Sequence, residues 1–224
     1  MRVARIVHGT DGEGPGRRTA VWVQGCTIRC PGCFNPHLWA SGGPITDTDR
    51  FADETLHRAV GAGAQGITLL GGEPFEQAAP LARVAEHFRD AGLSVMTFTG
   101  YTLFCLTRWA SQRVDIAALL AATDLLADGP YLAERPERRR PWIGSTNQCL
   151  HDLSGRYSEL LTSVTALPDR IEVRVEVDGT IAVNGWADAD TLDAFLAGLG
   201  RRADRPTASL RIRSEAVDHG AERA

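Results

Sequence analysis

Residues 66–100, GITLLGGEPFEQAAPLARVAEHFRDAGLSVMTFTG, read as strand, glycine turn, helix and strand, and that unit decides the fold. GITLL (66–70) is a short apolar run that stops at two glycines. Over 77–91, Leu81, Val84, Ala85 and Phe88 recur at helical spacing, and Gly92 closes the stripe. SVMTFT (94–99) is again a β-rich run. The pattern extends both ways. Downstream, helices are predicted near 102–112 and 114–121, followed by a strand at DLLA (124–127). Upstream, VARIV (3–7) and TAVWVQ (19–24) read as strands around the glycine-rich loop DGEGPGRR. A helix over 47–61 has Thr46 or Asp47 as its N-cap and Phe51, Leu56, Ala59 and Val60 on its apolar side. Strands alternating with helices of this length imply parallel pairing, hence an α/β sheet or partial (β/α) barrel.

Past residue 150 the character changes. RIEVRVEV (170–177), Asp178-Gly179 and TIAVNG (180–185) predict a hairpin, and a helix is expected near 188–199. This hairpin-plus-helix extension reads as an edge cover or a partner platform. Residues 201–224 are rich in Arg and Ala without an apolar period and are expected to fray. One domain over 1–200 is expected, with its core in 1–150 and the extension in 150–200, because no composition shift divides the chain.

Composition excludes several classes of function. All 24 basic residues are Arg, so a phosphate-loop lysine and a lysine Schiff base with pyridoxal phosphate are both ruled out. A net charge of −4 does not advertise nucleic acid as a partner. No apolar stretch approaches a membrane span, and a cytoplasmic location is expected. Three of the five cysteines are bunched and two, Cys105 and Cys149, are solitary, which suits metal use rather than a disulfide framework.

The bunched three are Cys26, Cys30 and Cys33 in GCTIRCPGCFNPHLW (25–39). Three thiolates at this spacing suit an iron–sulfur cube with one iron left open, whereas structural zinc wants four ligands. His37 could supply that fourth ligand, so a Cys3His zinc site remains open on spacing alone. The cysteines, Gly71-Gly72-Glu73-Pro74, Thr99-Gly100-Tyr101 and Asp128-Gly129-Pro130-Tyr131 each follow a predicted strand. In parallel sheets, ligand sites form at the carboxyl ends of strands, so the four would converge on one rim. Two adjacent glycines let backbone approach a ligand, Glu73 can meet an ammonium group, and Pro74 stiffens the exit.

The cysteine run resembles the signature of the radical S-adenosylmethionine (radical SAM) enzymes, and GGEP resembles their GGE motif. GGEPF (71–75), FTGYT (98–102), DLLADGPY (124–131) and WIGSTNQ (142–148) narrow the resemblance. They are similar to the activating proteins of glycyl radical enzymes, in particular the anaerobic ribonucleotide reductase activase branch. The resemblance implies a partial parallel (β/α) barrel of radical SAM type. It also implies a [4Fe–4S] cluster on Cys26, Cys30 and Cys33, with S-adenosylmethionine chelated to the open iron. Gly72 and Glu73 would then meet the cofactor's methionine amine, with Gly71 and Pro74 completing that cofactor-binding motif, and Asn35, Thr99 and Gly100 would line the pocket. The implied partners are a glycyl radical enzyme and a flavodoxin- or ferredoxin-type reductant. Two departures stand out: TGYTLFC lacks the acidic residue expected after TGYT, and Cys149 stands where a basic residue is expected.

Radical hydrogen abstraction needs no general base, in keeping with His8, His57, His87 and His151 at no mutually suggestive spacing; they read as surface or helix-face residues. Cys105 reads as a small core residue and Cys149 as a spectator thiol. The polar loop 128–148 is too long for an ordinary strand–helix connection and is expected to receive a target, with Arg138-Arg139-Arg140 beside Trp142 as a docking patch. Two other functions compete with activation of a protein: a single-cluster radical enzyme acting on a small molecule, and a zinc-stabilised binding module.

Overall fold

The computed structural model describes residues 1–168, 170–175, 181–186 and Ala194. In chain order its elements are β1 (Val3–Thr10), β2 (Arg18–Val23), α1 (Thr48–Gly61), β3 (Gly66–Gly71), α2 (Ala78–Asp90), β4 (Ser94–Phe98), α3 (Leu103–Ala110), α4 (Val114–Ala122), β5 (Leu125–Asp128), β6 (Cys149–Asp152), α5 (Ser158–Thr162), β7 (Arg170–Val175) and β8 (Ile181–Trp186). Strands β1 to β6 form one sheet in sequence order. Its centre, β2 to β5, is parallel, as the strand–helix alternation predicts, while β1 and β6 pair antiparallel at the two edges. The sheet is therefore mixed and open. The expected helix near 188–199 lies outside the described residues apart from Ala194, as does the segment 201–224.

Burial explains why the central strands read as continuous apolar runs rather than alternating ones. Every residue of β2 is buried, because each face of the sheet is covered. On one face Val21, Val23, Ile67, Leu69, Val95 and Leu126 meet the helices, where α2 contributes Leu81, Val84, Ala85 and Phe88, the stripe expected from the sequence. On the other, Trp22 and Leu70 pack with Leu38 of the cysteine loop, and Met96, Leu125 and Ala127 pack with Trp142, Leu150 and Tyr157. Helix α1 buries Phe51 and Ala59 and packs Leu56 on the core as expected, adds Ala52 and Thr55 to its buried side, and leaves Val60 exposed. Asp47 is its N-cap, accepting from the Arg50 amide at 2.9 Å.

The edge strand β6 does not stand out in the sequence, since CLHD is short and mostly polar; it forms because its backbone pairs with β5. Hairpin β7–β8 is antiparallel as expected, and its inner residues reach the end of β1. Arg174 Nη2 donates to the Gly9 carbonyl at 3.1 Å, and the Thr10 hydroxyl donates to Glu172.

At the amino ends of the parallel strands lies a buried cation. The Arg18 guanidinium, fully shielded from solvent, donates to Thr68 Oγ1 (2.7 Å), Ser94 Oγ (2.9 Å) and the carbonyls of Ile67 (2.6 Å), Ser94 (3.1 Å) and Pro15 (3.1 Å). Such a group is tolerable only because its donors are satisfied. Arg18→Ala strands those acceptors and leaves a cavity, so it should cost roughly 3–5 kcal/mol, read as a lower midpoint in urea unfolding.

Candidate functional site

The four loops expected to converge do so. The loops after β2, β3, β4 and β5 meet at the carboxyl end of the parallel sheet, joined mainly by backbone. Gly72 N–H donates to the Val23 carbonyl at 2.7 Å and Glu73 N–H to the Gly25 carbonyl at 2.8 Å, which locks the glutamate turn against the base of the cysteine loop. Thr99 N–H donates to the Ala127 carbonyl at 2.9 Å, and Gly129 N–H to that of Tyr101 at 3.0 Å.

Two glycines are dictated by this approach. A Cβ on Gly71, which sits at φ +107°, would lie 2.7 Å from Trp22 Cα; one on Gly72 would lie 2.2 Å from the Gly25 carbonyl oxygen. Pro74 opens a 3-10 turn, Pro74–Gln77, where its missing N–H costs nothing.

Glu73 is the hub of the rim. It is buried, and its Oε1 accepts from Thr99 Oγ1 (2.8 Å) and Phe75 N–H (2.9 Å), its Oε2 from Gly100 N–H (2.9 Å). A carboxylate has about four acceptor sites, so one remains, on Oε2. Burial pushes the Glu73 carboxyl up to about 7, against the pull of those three donors and with help from the nearby charge of Glu76. Thr99 also accepts from Tyr101 N–H at 3.1 Å. Glu73, Thr99 and Gly100 are thus joined in one network.

Glu76 is the rim residue that sequence reasoning missed. It accepts from Thr27 N–H at 2.9 Å, from the Thr27 hydroxyl, and from Tyr101 Oη at 3.1 Å, so it ties the cysteine loop to the loop after β4. The signal was available in GGEPFE, a second carboxylate one short helical turn beyond the first.

The three cysteines are free and half-buried on a loop anchored at both ends, since Gly25 N–H donates to the Leu38 carbonyl at 2.8 Å. Asn35 N–H donates to Cys33 Sγ at 3.4 Å, and the backbone amides of Arg29 and Ile28 near Cys26, and of Tyr131 near Cys30, favour the charged form of those thiols. Burial pushes the Cys26 and Cys30 thiols up, while those N–H groups favour the thiolate. Arg29 holds a positive φ of 52°, which lets the loop double back. Three free, half-buried thiols on one anchored loop are the donor set a cluster requires, so the residues present fit one. Asn35 stands at the start of the 3-10 turn Pro36–Leu38 beside them, its carbonyl accepting from Leu38 N–H at 3.0 Å. The His37 carbonyl accepts from Gln24 Nε2 at 3.4 Å.

In the long loop 128–148, part of the expected docking patch is turned to bracing the loop itself. Glu137 accepts from the amides of Arg138 (3.0 Å) and Arg139 (2.9 Å) and holds the Arg140 guanidinium at 2.6 Å. Arg140 also reaches the carbonyls of Gln148 (3.0 Å) and Thr146 (3.1 Å), so it braces the loop, and only Arg138 and Arg139 stay exposed. Trp142 packs on the sheet beside Met96 and Leu125 instead of standing at the surface. Gln148 Nε2 donates to the Gly129 carbonyl at 2.8 Å and Asn147 Nδ2 to that of Pro130 at 2.8 Å, so STNQ staples the loop ends. Tyr131 on this loop meets Phe34 of the cysteine loop, ring centroids 5.0 Å apart.

Comparison with known proteins agrees with this arrangement. Residues 12–151 match the family described as a 4Fe-4S single cluster domain. The chain is 35% identical over 153 residues to the anaerobic ribonucleoside-triphosphate reductase-activating protein of Salmonella typhimurium, spanning 63% of this chain and 92% of that protein. It is 30% identical over 149 residues to the Escherichia coli protein of the same name, with the same shares covered. It is also 33% identical over 120 residues to the pyruvate formate-lyase-activating enzyme of Listeria monocytogenes, spanning 51% of this chain and 46% of that enzyme. The chain belongs to the 4Fe-4S single cluster domain family, as a radical SAM enzyme of the glycyl-radical-activase type. Its cofactors are the [4Fe–4S] cluster and S-adenosylmethionine, and the zinc-module reading falls.

Two predictions follow from the rim geometry. Gly72→Ala, which forces a methyl into the Gly25 backbone, should cost about 3 kcal/mol or more, while Gly42→Ala, with open space around it, should stay within about 0.5 kcal/mol. Thermal or urea unfolding of the two variants separates them.

The second concerns pH. With Glu73 at about 7 when folded and an ordinary value of 4.5, the folded chain keeps a proton that the unfolded chain has released between those values. Stability therefore falls as pH rises through that window, and the loss is complete above the folded value. Glu73→Gln should flatten its share of the slope in urea midpoints measured across the window. Burial also pushes Glu13 up to about 7, and it contributes equally to both proteins, so the difference curve isolates Glu73.

Proposed function

We propose that this protein activates a partner glycyl radical enzyme by reductive cleavage of S-adenosylmethionine. The cluster, held by Cys26, Cys30 and Cys33, would supply when bound the single electron for that cleavage, and the cofactor would supply the radical chemistry that takes hydrogen from a glycine of the partner. The observation that carries this reading is the juncture of two features on one rim: three half-buried free thiols on one anchored loop, and a buried carboxylate network one loop away.

The chain's own residues do the rest. Cys26, Cys30 and Cys33 hold the cluster. Glu73 offers its remaining Oε2 acceptor site and its charge to the methionine ammonium, and an arriving cation draws its carboxyl toward the ionised form. Gly71 and Gly72 keep the turn thin enough for backbone to line the cofactor, and Pro74 holds its exit. Thr99 and Gly100 orient Glu73 and, with Asn35, line the pocket. We take the open sheet as the partial (β/α) barrel of the radical SAM enzymes, a flavodoxin- or ferredoxin-type protein as the electron donor, and the cytoplasm as the location. Among the described residues, no helix is long and apolar enough to cross a membrane.

Anaerobically reconstituted Cys26→Ala, Cys30→Ala and Cys33→Ala variants should lose cluster iron, whereas Cys105→Ala should keep it. The intact protein, given a strong reductant and S-adenosylmethionine, should release 5′-deoxyadenosine and raise a glycyl radical signal on its partner in electron paramagnetic resonance. Deoxyadenosine stimulated by a metabolite and by no protein would overturn the partner assignment.

A further inference from the structure

Cys149 and His151, read from the sequence as a spectator thiol and a surface histidine, are brought together with Asp128 by the pairing of β5 and β6. Asp128 lies directly across the ladder from Cys149, and His151 follows two residues along, so both β6 side chains fall on one face. That face is the helix side, because His151 stands opposite Leu126 of the helix-packed core, while Leu150 between them packs with Met96 and Trp142 on the other side. The cysteine loop instead packs through Leu38 on Trp22 and Leu70, on the side opposite the helices.

One donor atom from each of Asp128, Cys149 and His151 lies within 4.8 Å of the other two, a cluster that falls outside the iron-binding cysteines. Tetrahedral zinc with these ligand types spaces its donors about 3.3 to 3.6 Å apart. His151 Nε2 is 3.1 Å from Asp128 Oδ1, near that edge. Despite that distance the pair lacks hydrogen-bond geometry, and Nε2 is shielded from solvent without a hydrogen-bond partner. An orphaned ring nitrogen is costly unless something else meets its lone pair. The other Asp128 oxygen is already held by Leu103 N–H at 2.6 Å, which orients Oδ1 toward the histidine. Cys149 is exposed, which provides an entry path and leaves room for water as a fourth ligand.

We propose that Asp128 Oδ1, Cys149 Sγ and His151 Nε2 form a site for a thiophilic divalent cation, zinc by ligand type. Binding converts the thiol to thiolate and releases its proton to solvent, with no change of oxidation state. The ion would clamp β6 to β5 at the two ends of the loop 128–148.

The test uses full-length protein with its cluster loaded. After anaerobic incubation with Zn2+ and removal of loosely held metal by a mild chelator, the native chain should retain about one zinc, with zinc-edge X-ray absorption showing a single sulfur at about 2.3 Å. Cys149→Ser and His151→Gln should each lower retained zinc more than about tenfold, with iron content and the circular dichroism spectrum unchanged. Asp128→Asn is a poorer probe, since Asp128 also holds the start of α3. Zinc retention equal in the native chain and both variants, or a zinc shell of three sulfurs marking the cluster cysteines, would overturn the assignment.

Discussion

The rim depends on one close approach: the backbone of Gly72 lying against the carbonyl of Gly25, where the ends of β2 and β3 leave no room for a side chain. Parallel pairing brings Val23 level with Gly71, and the two backbone hydrogen bonds beyond that pair carry the ladder past the end of the sheet into the loops. The cysteine loop thus inherits the rigidity of the central strands instead of behaving as a free surface loop. A site that must hold three thiols in a set arrangement gains from such support, because misplacement of any one is felt by all.

Around this junction the electrostatics are arranged through burial. Glu73 sits where solvent cannot reach it, and three donors from two different loops converge on its carboxylate. Burial and hydrogen bonding oppose one another there, leaving the group near neutrality, where the approach of a cation decides its charge. Glu76, exposed, links Thr27 and Tyr101 and completes the circuit between the cysteine loop and the loop after β4. The opposite end of the sheet is organised around Arg18, so that buried charges of both signs sit in one sheet at separate ends, each satisfied by backbone and hydroxyl partners.

Elements governed by local pattern were legible in the sequence. The α2 stripe, the parallel core strands, the Asp47 cap and the β7–β8 hairpin each follow from periodicity or turn chemistry within a few residues. Those that depend on distant pairing were not. Strand β6 exists only because β5 offers it a ladder, Val60 of α1 stays exposed because the helix packs through Ala52 and Thr55 beside Phe51 and Ala59, and Arg140 and Trp142 turn inward because their own loop folds back on the sheet.

The sequence by itself determined the chemistry available: three thiols at iron–sulfur spacing, a glycine pair ahead of a carboxylate, and no lysine to support competing mechanisms. Residue identity and close spacing suffice for that, since the ligands of a cluster on one loop are sequence neighbours. Only the tertiary structure decided which side chains act together. Glu73 with Thr99 and Gly100, Glu76 with Thr27, and Asp128 with Cys149 and His151 are separated by at least 21 residues of chain at their widest step, and sheet pairing rather than local propensity closes those distances.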